Sequence, residues 1–304
     1  MADDTDDAAR DRALRRARKV RKLLRAPSGS VDLGRIDLAA TPGLPGKRPP
    51  DARQWSRTEV AALGELVGGY QERLFAAAQG GEGRQRVLLV LQAMDCGGKD
   101  GTVRRVVGAL NPQGVRITSF KAPTEEERSH HFLWRIEKAL PGPGIIGVFD
   151  RSHYEDVLIA RVRALAPPEE IERRYDAINE FEKRLVDNGT TVVKCMLHIS
   201  AAEQKRRLLT RLDDPSKLWK FNPGDIDERR RWPDYQAAYA VAMERTNTEH
   251  APWLLVPGDR KWFGKLAVAQ VLLETLERLD PGWPGPDFDV AEQRARLVEE
   301  HLEP

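Results

Sequence analysis

The apolar run RVLLVLQAM (residues 86–94) passes without a break into DCGGKDGT (residues 95–102), and this junction restricts the fold more than any other part of the chain. So short a run with no polar alternation suits a strand buried on both faces, which belongs inside a parallel sheet. The glycines that follow suit a turn whose backbone N–H groups converge on an anion. Gly97, Gly98 and Gly101 put no Cβ in the way, Lys99 supplies a point charge, and a helix expected over residues 103–110 adds its dipole. Asp100 and Thr102 belong to the same phosphate-facing stretch. The pattern departs from G-x-x-x-x-G-K-[ST] twice: Ala93 stands at the first glycine, and Asp100 replaces the hydroxyl residue that normally meets magnesium. A divalent cation then needs another ligand, and Asp95 offers the carboxylate oxygen that a hard ion prefers. The plain alternative is a glycine-rich turn that only joins strand to helix.

Further strands are expected at residues 115–121, 144–150, 190–200 and 252–256, each separated by enough chain for a helix, and residues 57–79 have helical apolar spacing. Such alternation predicts an α/β fold, a three-layer α/β/α domain with a parallel central sheet. Upstream, residues 10–25 predict a basic surface helix with Leu14, Val20, Leu23 and Leu24 as a thin apolar stripe. Residues 26–52, rich in proline and glycine, look extended and irregular, as do residues 281–289 before a last short helix. The expected organisation is an N-terminal arm at 1–52 and a P-loop domain at 53–304 with a lid at about 205–232.

Composition removes several classes. No apolar run approaches the ~18 residues of a membrane span, so no membrane partner is expected. Cys96 and Cys195 are the only cysteines, too few for a disulfide framework or a cysteine-built zinc site, and MADDTDD has no signal-peptide core; the cytoplasm is the expected location. The 49 Lys+Arg against 47 Asp+Glu give a net charge of +2, so a polyanion must be met by local clusters.

Three such places stand out. Asp150 and Arg151 end the strand GIIGVFD at the position where P-loop proteins keep a magnesium-organising carboxylate, and the arginine can neutralise charge on a transferred phosphoryl group. They could equally form a structural ion pair. His153 invites a phosphohistidine role, although in-line transfer needs no covalent intermediate. Residues 203–232 carry Arg206, Arg207, Arg211, Lys217 and Lys220 around a break at Asp213-Asp214-Pro215, the pattern of a mobile basic lid that closes over phosphates and excludes water. Lys121, Arg128 and Arg135 follow the second strand; seven residues apart, Arg128 and Arg135 are expected on one helix face with His131, lining an anion path. Glu125 to Glu127 could instead neutralise them. Adjacent His130 and His131 point in different directions and are not metal-like.

With these blocks in order, MDCGGKDGT, FKAPTEEE, FDRSHYEDVL, RLDDPSKLWKF and PDFDV, the chain resembles the family-2 polyphosphate kinases, which share the P-loop kinase fold and look like thymidylate kinases in the core. The resemblance implies reversible, Mg²⁺-dependent transfer (Mn²⁺ as substitute) between inorganic polyphosphate and adenine, or else guanine, nucleotides by a dimer or tetramer. Carried onto matching positions, it makes Lys99 the phosphate clamp, Asp95 and Asp150 the magnesium-organising carboxylates, Arg151 a phosphate contact, and Arg206, Arg207, Arg211, Lys217 and Lys220 lid residues. Tyr154-Glu155-Asp156 is similar to the subgroup accepting AMP as well as ADP, with Glu155 near the acceptor, whereas Asp150 looks like the ADP-preferring form. Trp219 offers either a stacking surface for a base or packing at the lid hinge. The rivals are an ATP-dependent nucleoside monophosphate or small-molecule kinase and a non-catalytic polyanion-binding protein; the intact Lys99 and Asp95 argue against the latter, and no nucleic-acid partner is expected.

Overall fold

The computed structural model describes residues 2–44, 51–81 and 83–300. Pro45, Pro49 and Pro50 of the expected irregular connection lie outside the described residues, as do Met1 and the last four positions. In chain order the elements are α1 (Ala2–Leu24), α2 (Ala52–Gln79), β1 (Arg86–Gln92), α3 (Lys99–Val106), β2 (Val115–Ser119), α4 (Glu125–Ser129), α5 (Trp134–Ala139) and β3 (Ile146–Asp150). There follow α6 (Ile159–Val162), α7 (Pro168–Asp187), β4 (Thr190–His198), α8 (Ala201–Leu212), α9 (Gly224–Arg230), α10 (Trp232–Thr246), β5 (Trp253–Pro257), α11 (Lys261–Leu279) and α12 (Val290–Glu299).

The five strands form one parallel sheet in the order β2-β3-β1-β4-β5, as the alternation of strand and helix requires. The central strand buries both faces. On β1, Val87, Leu89 and Leu91 enter a core shared with α1, α2 and α11, while Leu88 and Val90 enter a second core shared with α5, α7 and α10. Three layers result, and the carboxyl ends of the strands meet where β1 lies between β3 and β4. There Leu91 pairs with Asp150 on one side and Cys195 on the other, bringing the phosphate-loop turn beside the last residue of β3. In such sheets ligands bind outside the carboxyl ends, at the reversal of strand order.

Helix α1 is less detached than a solvated arm. Leu14, Ala17, Val20 and Leu24 recur at helical spacing and are buried in the core with α2 and α11. Its basic residues reach over this seam, Arg16 to Glu59 and Arg18 to Glu277. Leu23, the remaining member of the expected stripe, faces solvent. Beyond the helix, Ala26 donates its N–H to Trp253 O at 2.9 Å and Arg25 bridges Leu254, which covers part of the otherwise open edge of β5.

Two helix expectations are corrected. Arg128 and Arg135 do not share a helix face, because the chain breaks between α4 and α5 with His130 extended (φ −106°, ψ 168°). The cause is local. Thr124 and Glu127 close a capping box that starts a short helix, and His130 then stacks on Trp134 with ring centroids 4.0 Å apart instead of continuing the turn. Helix α3 likewise begins at Lys99 rather than near residue 103, since the phosphate turn itself is its first cap.

Candidate active site

The turn after β1 is built from backbone conformations that side chains rarely allow. Gly98, the cap residue of α3, has φ +111°, open to glycine at little cost. A Cβ on Gly97 would lie 2.3 Å from the Cβ of Ala93 and 2.8 Å from Met94 O, so the loop accepts alanine at its first position only because Gly97 has no side chain. Cys96 adopts φ +62° and, across the cleft, Arg151 adopts φ +64°. Two non-glycine residues in the left-handed region, both lining one cavity, mark where the fold stores strain.

That cavity has a volume of about 690 Å³ and is bounded by the phosphate turn, the ends of β2 and β3, helix α8, the 3₁₀ segment Pro215–Lys220 and the start of α11. Lys99 is almost fully buried. Its Nζ donates to Ala93 O at 3.0 Å and stands 4.0 Å from Asp150 Oδ1, so it rests on the loop within reach of the cleft. Burial pushes the Asp150 carboxyl above the usual range, and Lys99 pulls the other way. Arg151 donates to Asp95 Oδ1 at 3.0 Å. Glu155 lies off the cavity wall, half-buried next to Arg151, and burial raises its carboxyl against the pull of that guanidinium.

Among the described residues there is no group of three or more His, Cys, Asp or Glu that would hold a metal ion by itself. Two carboxylates on the wall of an anion cavity are nevertheless the donor set that magnesium uses when substrate phosphates and water complete its shell. Asp95 and Asp150 fit that set, and Asp150 Oδ1, at 4.0 Å from Lys99, is not consumed by a hydrogen bond to it.

The expected lid residues separate by role. Lys217 and Lys220 line the cavity on the 3₁₀ segment; Lys220 donates to Asp100 Oδ2 at 2.9 Å, which holds that carboxyl below its ordinary value, and Lys217 pairs with Asp214. Arg211 reaches the cavity with one guanidinium nitrogen on Lys220 O at 3.1 Å. Arg207 is 3% exposed and acts as a strut. It donates to Cys96 O at 2.9 Å and Gly97 O at 3.2 Å and also to Gly258 O, tying the phosphate turn to the end of β5. Arg206 turns outward to Glu203. Lys121 lines the cavity, whereas Arg128 caps Pro123 O on the surface. Arg135 is buried away from it, donating to Lys121 O at 2.9 Å between Glu127 and Asp156. His153 is fully buried against Glu182, which leaves no route for a phosphate to its ring. Trp219 is 78% exposed at the cavity rim, its indole N–H donating to Ser216 O at 3.0 Å.

Sequence reasoning missed Arg104, Lys261 and Lys265, which line the same cavity. Burial lowers Lys265, and the nearby Arg105, Arg104 and Arg57 lower it further. Four-residue spacing of Lys261 and Lys265 at a helix start directly after β5 was the available signal.

A parallel sheet ending in a glycine-rich turn, a lysine under that turn, an Asp-Arg pair at the end of the neighbouring strand and a basic segment along the cleft define a P-loop kinase fold. The sequence profile of polyphosphate kinase 2 matches residues 66–282. The crystal structure of polyphosphate kinase 2 from Arthrobacter aurescens TC1 superposes with a TM-score of 0.88 at 52% identity, over 93% of this chain and 98% of that one. An AMP/ADP-polyphosphate phosphotransferase from Meiothermus ruber is 44% identical, over 86% of this chain and 94% of the relative. An ADP-polyphosphate phosphotransferase from Rhodopseudomonas palustris is 41% identical, over 84% and 88%. The chain belongs to the polyphosphate kinase 2 family. No helix among the described residues is long and apolar enough to cross a membrane.

Proposed function

We propose that the protein reversibly transfers the terminal phosphoryl group of inorganic polyphosphate to a nucleotide, with ADP and AMP both admitted as acceptors. The observation that carries this reading is the wall of the cavity. Among the described residues Arg104, Lys121, Lys261 and Lys265 face it with no carboxylate within 4.0 Å, in a chain whose net charge is only +2. Cations gathered at this density without partners repel one another and call for a polyanion longer than one phosphate. The names of the relatives, which include both AMP/ADP and ADP phosphotransferases, support the same substrates.

In this reading the N–H groups of Gly98 and Gly101 cradle the phosphates, the Gly97 N–H being spent on Met94 O at 2.9 Å inside the turn, and Lys99 moves from Ala93 O onto the transferring group. Asp95 and Asp150 would hold the divalent ion, Mg²⁺ with Mn²⁺ as substitute, which would supply neutralisation of phosphoryl charge. Arg151, released from Asp95, takes up charge on the opposite side. Lys217 and Lys220 bring the lid down, and the exposed face of Trp219 supports the base by stacking. Glu155, beside Arg151, sets acceptor length. Lys121, Lys261 and Lys265 hold the donor chain upstream of the reacting phosphate.

The test is incubation of the purified protein with Mg²⁺ and long-chain polyphosphate, with AMP or ADP in separate tubes and the nucleotides resolved by chromatography. ATP from ADP and ADP from AMP are expected. ATP from ADP alone would restrict the acceptor, and no product in either tube, with ATP-dependent phosphorylation of another small molecule, would overturn the reading. A second prediction follows from the cationic wall. Lys261→Ala with Lys265→Ala should raise KM for polyphosphate by about tenfold and flatten its salt dependence while leaving KM for the nucleotide unchanged. Initial rates at two ionic strengths measure both effects.

A further inference from the structure

Arg151 lines the cavity and Glu155 lies beside it, yet two residues between them turn the other way: His153 and Tyr154 are fully buried. Both reach one carboxylate. Glu182 of α7 accepts from Tyr154 Oη at 2.8 Å and lies 3.2 Å from His153 Nε2. Lys194, in the middle of β4 with Val90 and Trp253 as its register neighbours, completes the cluster. Its Nζ donates to Glu182 Oε2 at 2.7 Å, to Tyr154 Oη at 2.9 Å and to Thr246 O at 2.8 Å, which uses all three ammonium protons. On the site side, Gln92 at the end of β1 donates to Ser152 Oγ at 3.0 Å, and that oxygen accepts the Tyr154 N–H at 3.2 Å.

Stability alone is a weak reason for this arrangement. Both members of the ion pair are fully buried, and desolvation of two such ions offsets most of their attraction, so that well-packed apolar replacements are often neutral or better. What the pair does supply is direction, because each donor and acceptor accepts only one geometry. The backbone it fastens needs such fastening: Arg151 sits at φ +64°, a conformation that persists only where the surroundings over-determine it. Phosphoryl transfer is sensitive to placement, a 1 Å error costing about 10²-fold.

We propose that Lys194 and Glu182 are positioning residues, whose buried ion pair acts through His153 and Tyr154 to fix the Arg151–Glu155 segment for phosphoryl transfer. The inference rests on the functional reading above for its kinetic readout only. Exchanging both charges together, Lys194→Met with Glu182→Leu, avoids leaving one ion unpaired. The double variant is expected to melt within about 4 °C of the parent. It should lose kcat by about tenfold or more with KM for polyphosphate unchanged, and backbone amides of residues 151–156 should exchange with solvent faster. In an Arg151→Ala background the same exchange should cost little more, since the two changes act through one group. Parental amide exchange overturns the proposal, as does an undiminished further loss of kcat in the Arg151→Ala background. Should the double variant fail to fold, Tyr154→Phe keeps the ion pair and deletes only the hydroxyl link. Faster exchange at 151–156 in that variant supports the proposal and parental exchange overturns it. If the unsubstituted protein transfers no phosphoryl group, amide exchange decides this proposal while the functional reading falls separately.

Discussion

Lys99→Ala is expected to lower kcat by about 10²–10³-fold in both directions of transfer while the protein stays folded. The reason begins with where the lysine rests. Its ammonium is tucked under the turn on Ala93 O, 4.0 Å from Asp150, on a cavity wall that Gly97, Gly98 and Gly101 also line. In so enclosed a site a single positive charge stabilises developing phosphoryl charge far more than it would in water. The forward and reverse reactions share one transition state and one equilibrium constant, so the loss in kcat/KM must be equal in both. Lys99→Arg should not restore the rate, because a planar fork needs more room than a point charge and the turn has none to give: Gly97 already lies against Ala93. Initial rates with polyphosphate and ADP, and with ATP as donor, check the first claim; a melting curve checks the second. A near-parental rate in Lys99→Ala would remove this residue from the mechanism.

How much of this site is legible in the amino-acid sequence depends on the kinds of contact involved. The strand-turn-helix junction at residues 86–102 is local, and apolar run, glycines and lysine lie in one stretch, so sheet type, loop and Lys99 can all be read from it. The β3 carboxylate is legible for the same reason, being the last residue of an apolar strand. Arg207 shows the limit. As one arginine among several on a basic stretch it suggests a lid contact, but its donors are spent on the carbonyls of Cys96 and Gly97, far away in the chain, and only the packing of α8 on the phosphate turn makes that pairing. Arg135 is the converse case. Its seven-residue distance from Arg128 implies a shared face only if one helix runs through both, and the Thr124 capping box with the His130–Trp134 stack produces two. The Lys194–Glu182 pair is the least visible of all, since a lysine inside TTVVKCMLH carries no mark of its partner on another layer. Strand order, likewise, follows from crossovers that no local pattern encodes.

Asp150 carries the second large effect. Asp150→Ala is expected to reduce kcat by about 10²–10³-fold and to raise the Mg²⁺ concentration for half-maximal rate by about tenfold. Both follow from its place at the end of β3, in register with Leu91 and therefore opposite the start of the phosphate turn. Burial there disfavours the bare carboxylate and raises its proton affinity, with Lys99 as the main opposing charge. A carboxylate kept in so unfavourable a place, without a hydrogen bond to that lysine, is best satisfied by a cation that arrives with the substrate. Asp150→Asn retains one oxygen ligand of the same reach and removes the charge, so its loss should be smaller than that of alanine and recoverable in part by added Mg²⁺. Rates measured across a magnesium titration separate the cases. If alanine and asparagine lose activity equally and magnesium recovers neither, Asp150 acts by orienting Lys99 rather than by holding the ion. If alanine loses nothing, Asp95 alone organises the metal, and the Arg151 guanidinium 3.0 Å from it becomes the group whose release prepares the site.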